Sequence, residues 1–527
     1  MQEILKTLEM DWIYSLIQPF SELGIKEKQD FIEFKEKDIE IAKSYYGELS
    51  DLLHLINQDQ AALPYLSSIL THFEDIRNIL RKEVIIFEMH EIFQIKHFLY
   101  FYLKLSNYLK IRTFAKNLFK LLDRDGQNTP TFYLSPEYSV KYKELKNNLF
   151  TIQANKEEAL QIYYENIMNH LQIKSFEEVI TISRFDEDKI NKLLNSGFFY
   201  MSDENFANIT LSLKKAENIM RLEEQIVQLN LALELEANNI RKNLSEKINK
   251  FKTNILCSLA EVARFDLKLA KVVFARSYSC VIPELHNNKT MSINLKNVFN
   301  IVLHKQLQIN HIDYQRININ ISKYVNIITG SNMGGKTSLL KTIGQTAMMV
   351  KLGLPVPAEC AKIPIFDNVF FCGPSTSQDR SDLSSFGLEV VTLQSVIDYK
   401  GFNLFLMDEF ARGTNPVEGE ALYHSVIRYF AQISRSIEKN ETILISTTHY
   451  NLPNNISNLS HFQMVGLHED CIAELESKHH SVSSKLQLIN KYMNYQPIEV
   501  TDETQIPQSA ILIAKLLGLA KEITSNV

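Results

Sequence analysis

Three short runs of this chain combine residue types that handle phosphate. Gly330-Ser331-Asn332-Met333-Gly334-Gly335-Lys336-Thr337 fits G-x-x-x-x-G-K-[ST], a spacing in which a glycine-rich loop turns its backbone N–H groups onto a phosphate chain. Tyr324 to Thr329 before it reads as a buried strand, and Ser338 onward opens a helix reaching about Leu352. The loop therefore sits at a helix N-terminus, whose dipole favours anions. The stretch Gly330 to Ser338 is the expected nucleotide cradle, with Lys336 on the β- and γ-phosphates and the Thr337 hydroxyl on Mg²⁺. A second apolar run, Asn403 to Met407, ends in Asp408 and Glu409. Asp408 is placed to complete the Mg²⁺ shell, and Glu409 to orient and deprotonate the attacking water. A third run, Thr442 to Thr448, ends at His449. A lone histidine at a strand end is commonly a surface or capping residue, but three strand ends converging on one site favour a γ-phosphate sensor. These residues predict a P-loop enzyme that hydrolyses a nucleoside triphosphate with Mg²⁺.

The elements that must hold these runs divide the chain in two. At 527 residues it is too long for a single core. Of its 16 glycines, 12 fall in residues 301–527 and four before them. The glycine-poor half has a helical composition, and a boundary is expected near residues 275–300. The expectation is residues 1–275 as an all-α domain and residues 276–527 as an α/β domain. Between Ile219 and Val262, apolar residues from Leu222 to Leu259 recur in steps of three and four, the period of one long amphipathic helix. Phe101 to Leu122 also reads as helix, and the helical pattern breaks around Asn195-Ser196-Gly197.

From about Val325 to Leu452 the chain resembles the ATPase domain of the MutS family. Thr329 to Thr337 matches its TGPNMGGKS loop with Ser331 in place of proline. Gly353-Leu354-Pro355-Val356-Pro357-Ala358 matches its G-x-x-V-P-A turn, Asp408-Glu409 running into Arg412-Gly413-Thr414 its DE-x-x-RGT, and Thr447-Thr448-His449-Tyr450 its ATHY. Asn415 to Gly419 resembles the recombination-suppressing subfamily more than the mismatch-reading one. The resemblance implies a domain V-like, ABC-type P-loop ATPase preceded by a helical lever and clamp, with the clamp tip at about residues 175–218. It implies that two ATPase domains pack face to face and complete each other's sites. Ser384-Ser385-Phe386 stands where the family's completing Ser-Thr-Phe stands, so Ser384 would approach the γ-phosphate held by the partner. Ser509 to Gly518 resembles the family's dimer-supporting terminal helix, with Ala510 replacing a glycine. The lever-like helices begin almost at Met1, leaving no room for the family's mismatch-reading domains, and no nuclease-like tail is expected.

Charge leaves the cargo open. Lys plus Arg is 56 against 62 for Asp plus Glu, a net of −6, and residues 175–218 hold eight acidic and five basic residues. Nucleic-acid binders generally present a basic patch. Lys143, Lys146, Lys214 and Lys215 are candidates for one, although a solvated helix face explains them better. Two functions follow. One is a homodimeric or heterodimeric ATP-gated clamp on branched or damaged DNA. The other is a remodelling ATPase with a protein client, on the resemblance to MutS-like reactivases of adenosylcobalamin-dependent lysine aminomutase. The five cysteines form no C-x-x-C pair, which argues against metal and disulfide frameworks. His479-His480 reads as surface loop. With no apolar run near membrane-spanning length and no apolar leader, a soluble cytoplasmic protein is expected.

Overall fold

The computed structural model describes residues 2–30, 32–81, 86–286, 292–331, 334–373, 385–433, 440–453, 456, 458–467 and 492–501. Asn332, Met333, Ser384, His479-His480 and the terminal run Ser509 to Gly518 lie outside the described residues. The chain forms two compact units, His72–Glu261 and the pair of segments Met1–Thr71 and Val262–Val527. This division differs from the expected 1–275 and 276–527, because the first 71 residues pack with the α/β part.

The unit His72–Glu261 is built on two long helices, Val140–Leu171 and Glu217–Lys250. Ser139 bonds Glu236, Lys156 pairs with Glu223 at 2.9 Å, and the Tyr163 hydroxyl donates to the Lys214 carbonyl at 2.7 Å. One partner number rises as the other falls, so the helices run antiparallel. Between them the expected break in helical pattern is a small α/β subdomain. Strands β1 (Val179–Ser183), β2 (Phe199–Glu204) and β3 (Asn208–Leu213) pair antiparallel in the order β1-β3-β2. Helix Glu187–Asn195 and the end of Val140–Leu171 close one face over Ile167, Leu171, Ile190, Phe199 and Leu211.

Two helices expected as continuous are each broken. Glu217–Lys250 stops at Phe251, where helix Lys252–Ser277 begins. No glycine or proline marks the break; the Phe251 ring instead stacks on Phe114, centroids 5.9 Å apart. Phe101 to Leu122 is the end of helix Met89–Tyr108 and all of Ala115–Leu122. Between them Lys110 takes the left-handed conformation (φ 56°) and Ile111 N–H returns to the Ser106 carbonyl at 2.8 Å, a helix-ending turn.

In the other unit, β4 (Glu284–Leu285), β5 (Ile293–Val298), β6 (Ile317–Ile321) and β8 (Cys360–Ile363) form a four-stranded sheet, β4-β8-β5-β6. The main sheet is β13-β12-β7-β11-β10-β9, from β7 (Val325–Thr329), β9 (Asn368–Cys372), β10 (Gly401–Asp408), β11 (Asn440–Thr447), β12 (Leu459–Leu467) and β13 (Met493–Glu499). Its strands are parallel except β13. Phe402 to Asp408 are all buried, as expected for a central parallel strand covered on both faces.

Helix Lys336–Lys351 lies against this sheet and is buried along most of its length. The N-terminal segment covers its other side. Gln345 donates to the Leu8 carbonyl at 3.0 Å, and a Cβ at Gly344 would meet Leu406 at 2.6 Å and Leu8 at 2.9 Å. The Tyr46 hydroxyl, on helix Ile39–Gln58, lies 3.0 Å from the Val350 carbonyl and 3.1 Å from that of Leu354. Buried Asp266 accepts from Phe20 N, Ser21 N and the Ser21 hydroxyl at 2.6 to 2.9 Å. These contacts explain why residues 1–71 belong to this unit. Among the described residues no helix is long and apolar enough to cross a membrane.

Candidate nucleotide site

Three parallel neighbours, β7, β11 and β10, end on the same edge of the main sheet, and the functional side chains leave from those ends. After β7 the chain turns through Gly330 (φ 141°) and Gly335 (φ 81°), conformations open to glycine but strained for L side chains. Space restricts both positions as well, since a Cβ would lie 2.9 Å from Met464 at Gly330 and 2.9 Å from the Tyr495 ring at Gly335. Gly334 N–H donates to the Ser331 carbonyl at 2.9 Å, and Lys336 starts the helix.

Lys336 is buried and directed back over the loop. Its Nζ lies 2.7 Å from the Gly330 carbonyl, 2.9 Å from His449 Nε2 and 3.7 Å from Glu409 Oε1. Burial pulls its pKa down against the opposing pull of Glu409 and Asp408. Thr337 donates its hydroxyl to Asp408 Oδ2 at 2.7 Å, and Thr447 donates to Oδ1 at 2.6 Å. A hydroxyl and a buried carboxylate thus meet at the foot of the phosphate loop. Hard oxygen donors of this kind suit Mg²⁺ beside a phosphate chain.

Glu409 adopts φ 50° and Ala411 φ 63°, two left-handed non-glycine residues in one turn. The turn is tied at several points. Glu409 N–H faces the Thr447 carbonyl at 3.2 Å and its hydroxyl at 3.1 Å. Ala411 N–H donates to Glu389 Oε2 at 2.8 Å, and the Tyr450 hydroxyl donates to the Ala411 carbonyl at 3.0 Å. The Glu409 carboxylate meets His449 Nε2 at 2.9 Å and pairs with Arg412. Burial alone would raise its pKa, but His449, Lys336 and Arg412 outweigh it and hold the carboxyl below its ordinary value.

His449 Nε2 is therefore 2.9 Å from both Lys336 Nζ and Glu409 Oε1. One ring nitrogen either donates or accepts, so it cannot satisfy the ammonium and the carboxylate together. His449 can thus serve Lys336 as an acceptor or Glu409 as a donor through Nε2, but not both at once.

Lys336, Thr337, Asp408, Glu409 and His449 come together, with Gly330, Ser331, Gly334 and Gly335 forming the loop beside them. Glu389 and Thr447 were not singled out from sequence. Thr447 lies within the run Thr447-Thr448-His449-Tyr450. Glu389, on helix Ser385–Asp398, gives no local signal because its partner is a backbone N–H 22 residues away.

Residues 326–521 match the family described as MutS domain V. Endonuclease MutS2 of Caldanaerobacter subterraneus subsp. tengcongensis is 27% identical over 470 residues, covering 85% of this chain and 56% of that protein. Endonuclease MutS2 of Clostridium botulinum strain Langeland is 32% identical over 238 residues, 44% of this chain and 28% of that protein. DNA mismatch repair protein MutS of Staphylococcus haemolyticus is 28% identical over 247 residues, 46% of this chain and 27% of that protein. The chain thus matches just over half the length of the first of these relatives and less of the other two. Residues 326–521 thus carry a MutS domain V, and most of the chain is similar to a MutS2 protein.

Proposed function

We propose that this chain is the motor and helical clamp of a dimeric, Mg²⁺-dependent ATPase that acts on DNA structures in repair or recombination. The observation that carries the reading is the Lys336–His449–Glu409 cluster beside the Thr337–Asp408 pair, at the mouth of a glycine loop and a helix N-terminus. In this reading the loop from Gly330 to Ser338 cradles the phosphates. Thr337 and Asp408 would hold Mg²⁺, which neutralises phosphate charge when bound. Lys336 leaves the Gly330 carbonyl and His449 for the γ-phosphate. Glu409 then loses part of the positive field that depresses its pKa and becomes a better base for the attacking water. His449, released from Lys336, keeps its Nε2 proton on Glu409 or offers it to the γ-phosphate. Ser384 of a second copy would complete the site.

DNA as cargo is supported by the names of the relatives, an endonuclease and a mismatch repair protein. A protein client is the second reading, and a specific observation favours it. Lys143 pairs with Glu137 at 2.8 Å and Lys215 with Glu223 at 2.7 Å, so two of the four lysines considered for DNA have carboxylate partners.

The deciding measurement uses Glu409→Gln, which should bind ATP and stall before hydrolysis. Its affinity for linear, mismatched and four-way-junction DNA is measured with and without ATP across a salt series. ATP-dependent binding that weakens steeply with salt supports the DNA clamp. Absence of binding at low salt, while the unmutated protein still hydrolyses ATP, rejects DNA as cargo. Normal turnover by Glu409→Gln would reject the assignment of the base.

A further inference from the structure

The β1–β3 ladder runs from Val179↔Ser212 to Ser183↔Asn208, and Arg184 N–H extends it by donating to the Ala207 carbonyl at 2.9 Å. The next facing positions in that register are Phe185 and Phe206. Their side chains are 88% and 93% exposed, although Ile182, Phe199 and Ile209 nearby are buried in the core of the subdomain. The backbone that carries them is closed. Asp186 N–H returns to the Ser183 carbonyl at 3.0 Å, and the Asn205 side chain accepts from Ala207 N at 3.0 Å and Asn208 N at 2.8 Å. A single exposed apolar side chain is ordinary. Two phenylalanines at facing positions of two closed turns make a contact feature of the kind that anchors protein interfaces.

The charge around them selects the partner. Asp186, Glu187, Asp188, Asp203 and Glu204 are exposed beside the two rings. Of the nearby cations, Arg184 already pairs with Glu204 at 3.0 Å, and Lys189 is exposed beside Asp188, which leaves the patch net acidic. Nucleic-acid phosphates would meet carboxylates here. A second copy docking through the same patch would set the five carboxylates against five identical ones. A surface of opposite charge gains on both counts.

We propose that the end of this subdomain carrying Phe185 and Phe206 is a docking surface for a protein that offers an apolar cleft rimmed by lysine and arginine. The inference rests on neither the nucleotide chemistry nor the identity of the clamp's cargo.

The test pans a phage library of random dodecapeptides on the full chain, with counter-selection on Phe185→Ser/Phe206→Ser. Both side chains are solvent-exposed, so the double variant should fold, and its thermal unfolding is compared with that of the unmutated chain. The expected result is enrichment of peptides pairing Lys/Arg with Leu, Phe or Trp. Made synthetically, these should lose at least roughly tenfold in affinity on the double substitution, the scale of a lost anchor, and lose affinity again on Asp186→Lys/Glu187→Lys. Three results would each overturn the proposal. The first is enrichment of no peptide that depends on the two phenylalanines. The second is Phe185- and Phe206-dependent binding of duplex or four-way-junction DNA. The third is self-association in sedimentation that the double substitution abolishes.

Discussion

At the residue scale, the Glu409 backbone sits in a conformation that non-glycine residues adopt where their surroundings over-determine it. Its carboxylate meets cationic or proton-bearing groups on three sides, His449, Lys336 and Arg412. A carboxylate so held is a poor base, which suits the proposed ATPase if it idles without nucleotide and partner. Arg412 is the least embedded of the three, with 65% of its side chain exposed. Arg412→Ala should therefore raise cargo-free phosphate release by roughly two- to fivefold, the scale of an exposed ion pair of up to about 1 kcal/mol. Fluorescent nucleotide titration should show unchanged affinity, and a fall in turnover would show that Arg412 serves the phosphates instead. The cluster's composition was legible in the sequence, since its residues lie in three motifs. The meeting of Lys336 and Glu409 at one nitrogen of His449 was not, because that depends on distances fixed by strand register.

At the element scale, helix Ser385–Asp398 connects to the catalytic turn through Glu389. This side chain has its pKa raised by burial and accepts the Ala411 N–H. Glu389→Ala should lower kcat by roughly tenfold, since a displaced catalytic group costs about that or more, with ATP affinity within twofold. Glu389→Gln keeps an acceptor oxygen and should restore most of the rate, which a purely steric role would not require. A second element contact lies at the far end of the phosphate-loop helix. Lys271 is buried there and donates to the Tyr45 hydroxyl at 2.8 Å and to the Gly353 and Leu352 carbonyls at 3.1 and 3.3 Å. Burial, with a smaller push from Lys268, lowers its pKa from 10.5 to about 7. Between those values the unfolded chain binds the extra proton, so stability rises with pH across the window, by up to roughly 1.4 kcal/mol per pH unit. Urea unfolding at pH 7 and pH 9.5 should show the native chain gaining on Lys271→Met as pH rises. A constant difference would mean that Lys271 stays charged in its cage of carbonyls.

At the scale of the whole molecule, the proposed completion of the site by a second copy would make hydrolysis a property of the pair. Lys336→Ala and Ser384→Ala should each be nearly inactive alone. Mixed, they should recover roughly a quarter of native turnover, because random pairing puts half the chains in mixed dimers with one intact site each. Phosphate release from the mixture measures this directly, and no recovery would reject a shared site. Residues 1–71 matter at the same scale. They read as part of a separate helical domain, yet Leu8 and Tyr46 bond or pack onto the α/β part, and Ser21 bonds Asp266 on helix Lys252–Ser277. Their helical period was visible in the sequence, but the surface that their apolar faces cover was not.

By itself the sequence determined the glycine loop, the paired carboxylates, the strand-end histidine and the resemblance to MutS proteins. Each is a local string whose chemistry depends on residues a few positions apart. The tertiary structure alone decided which groups meet at His449, that Glu389 pins Ala411, where the long helices break, and that a β-sheet bearing two exposed phenylalanines interrupts the helical unit. Those outcomes rest on contacts between segments tens to hundreds of residues apart. Phe251 leaves its helix because Phe114 is there to receive its ring, and nothing in the residues next to Phe251 records that.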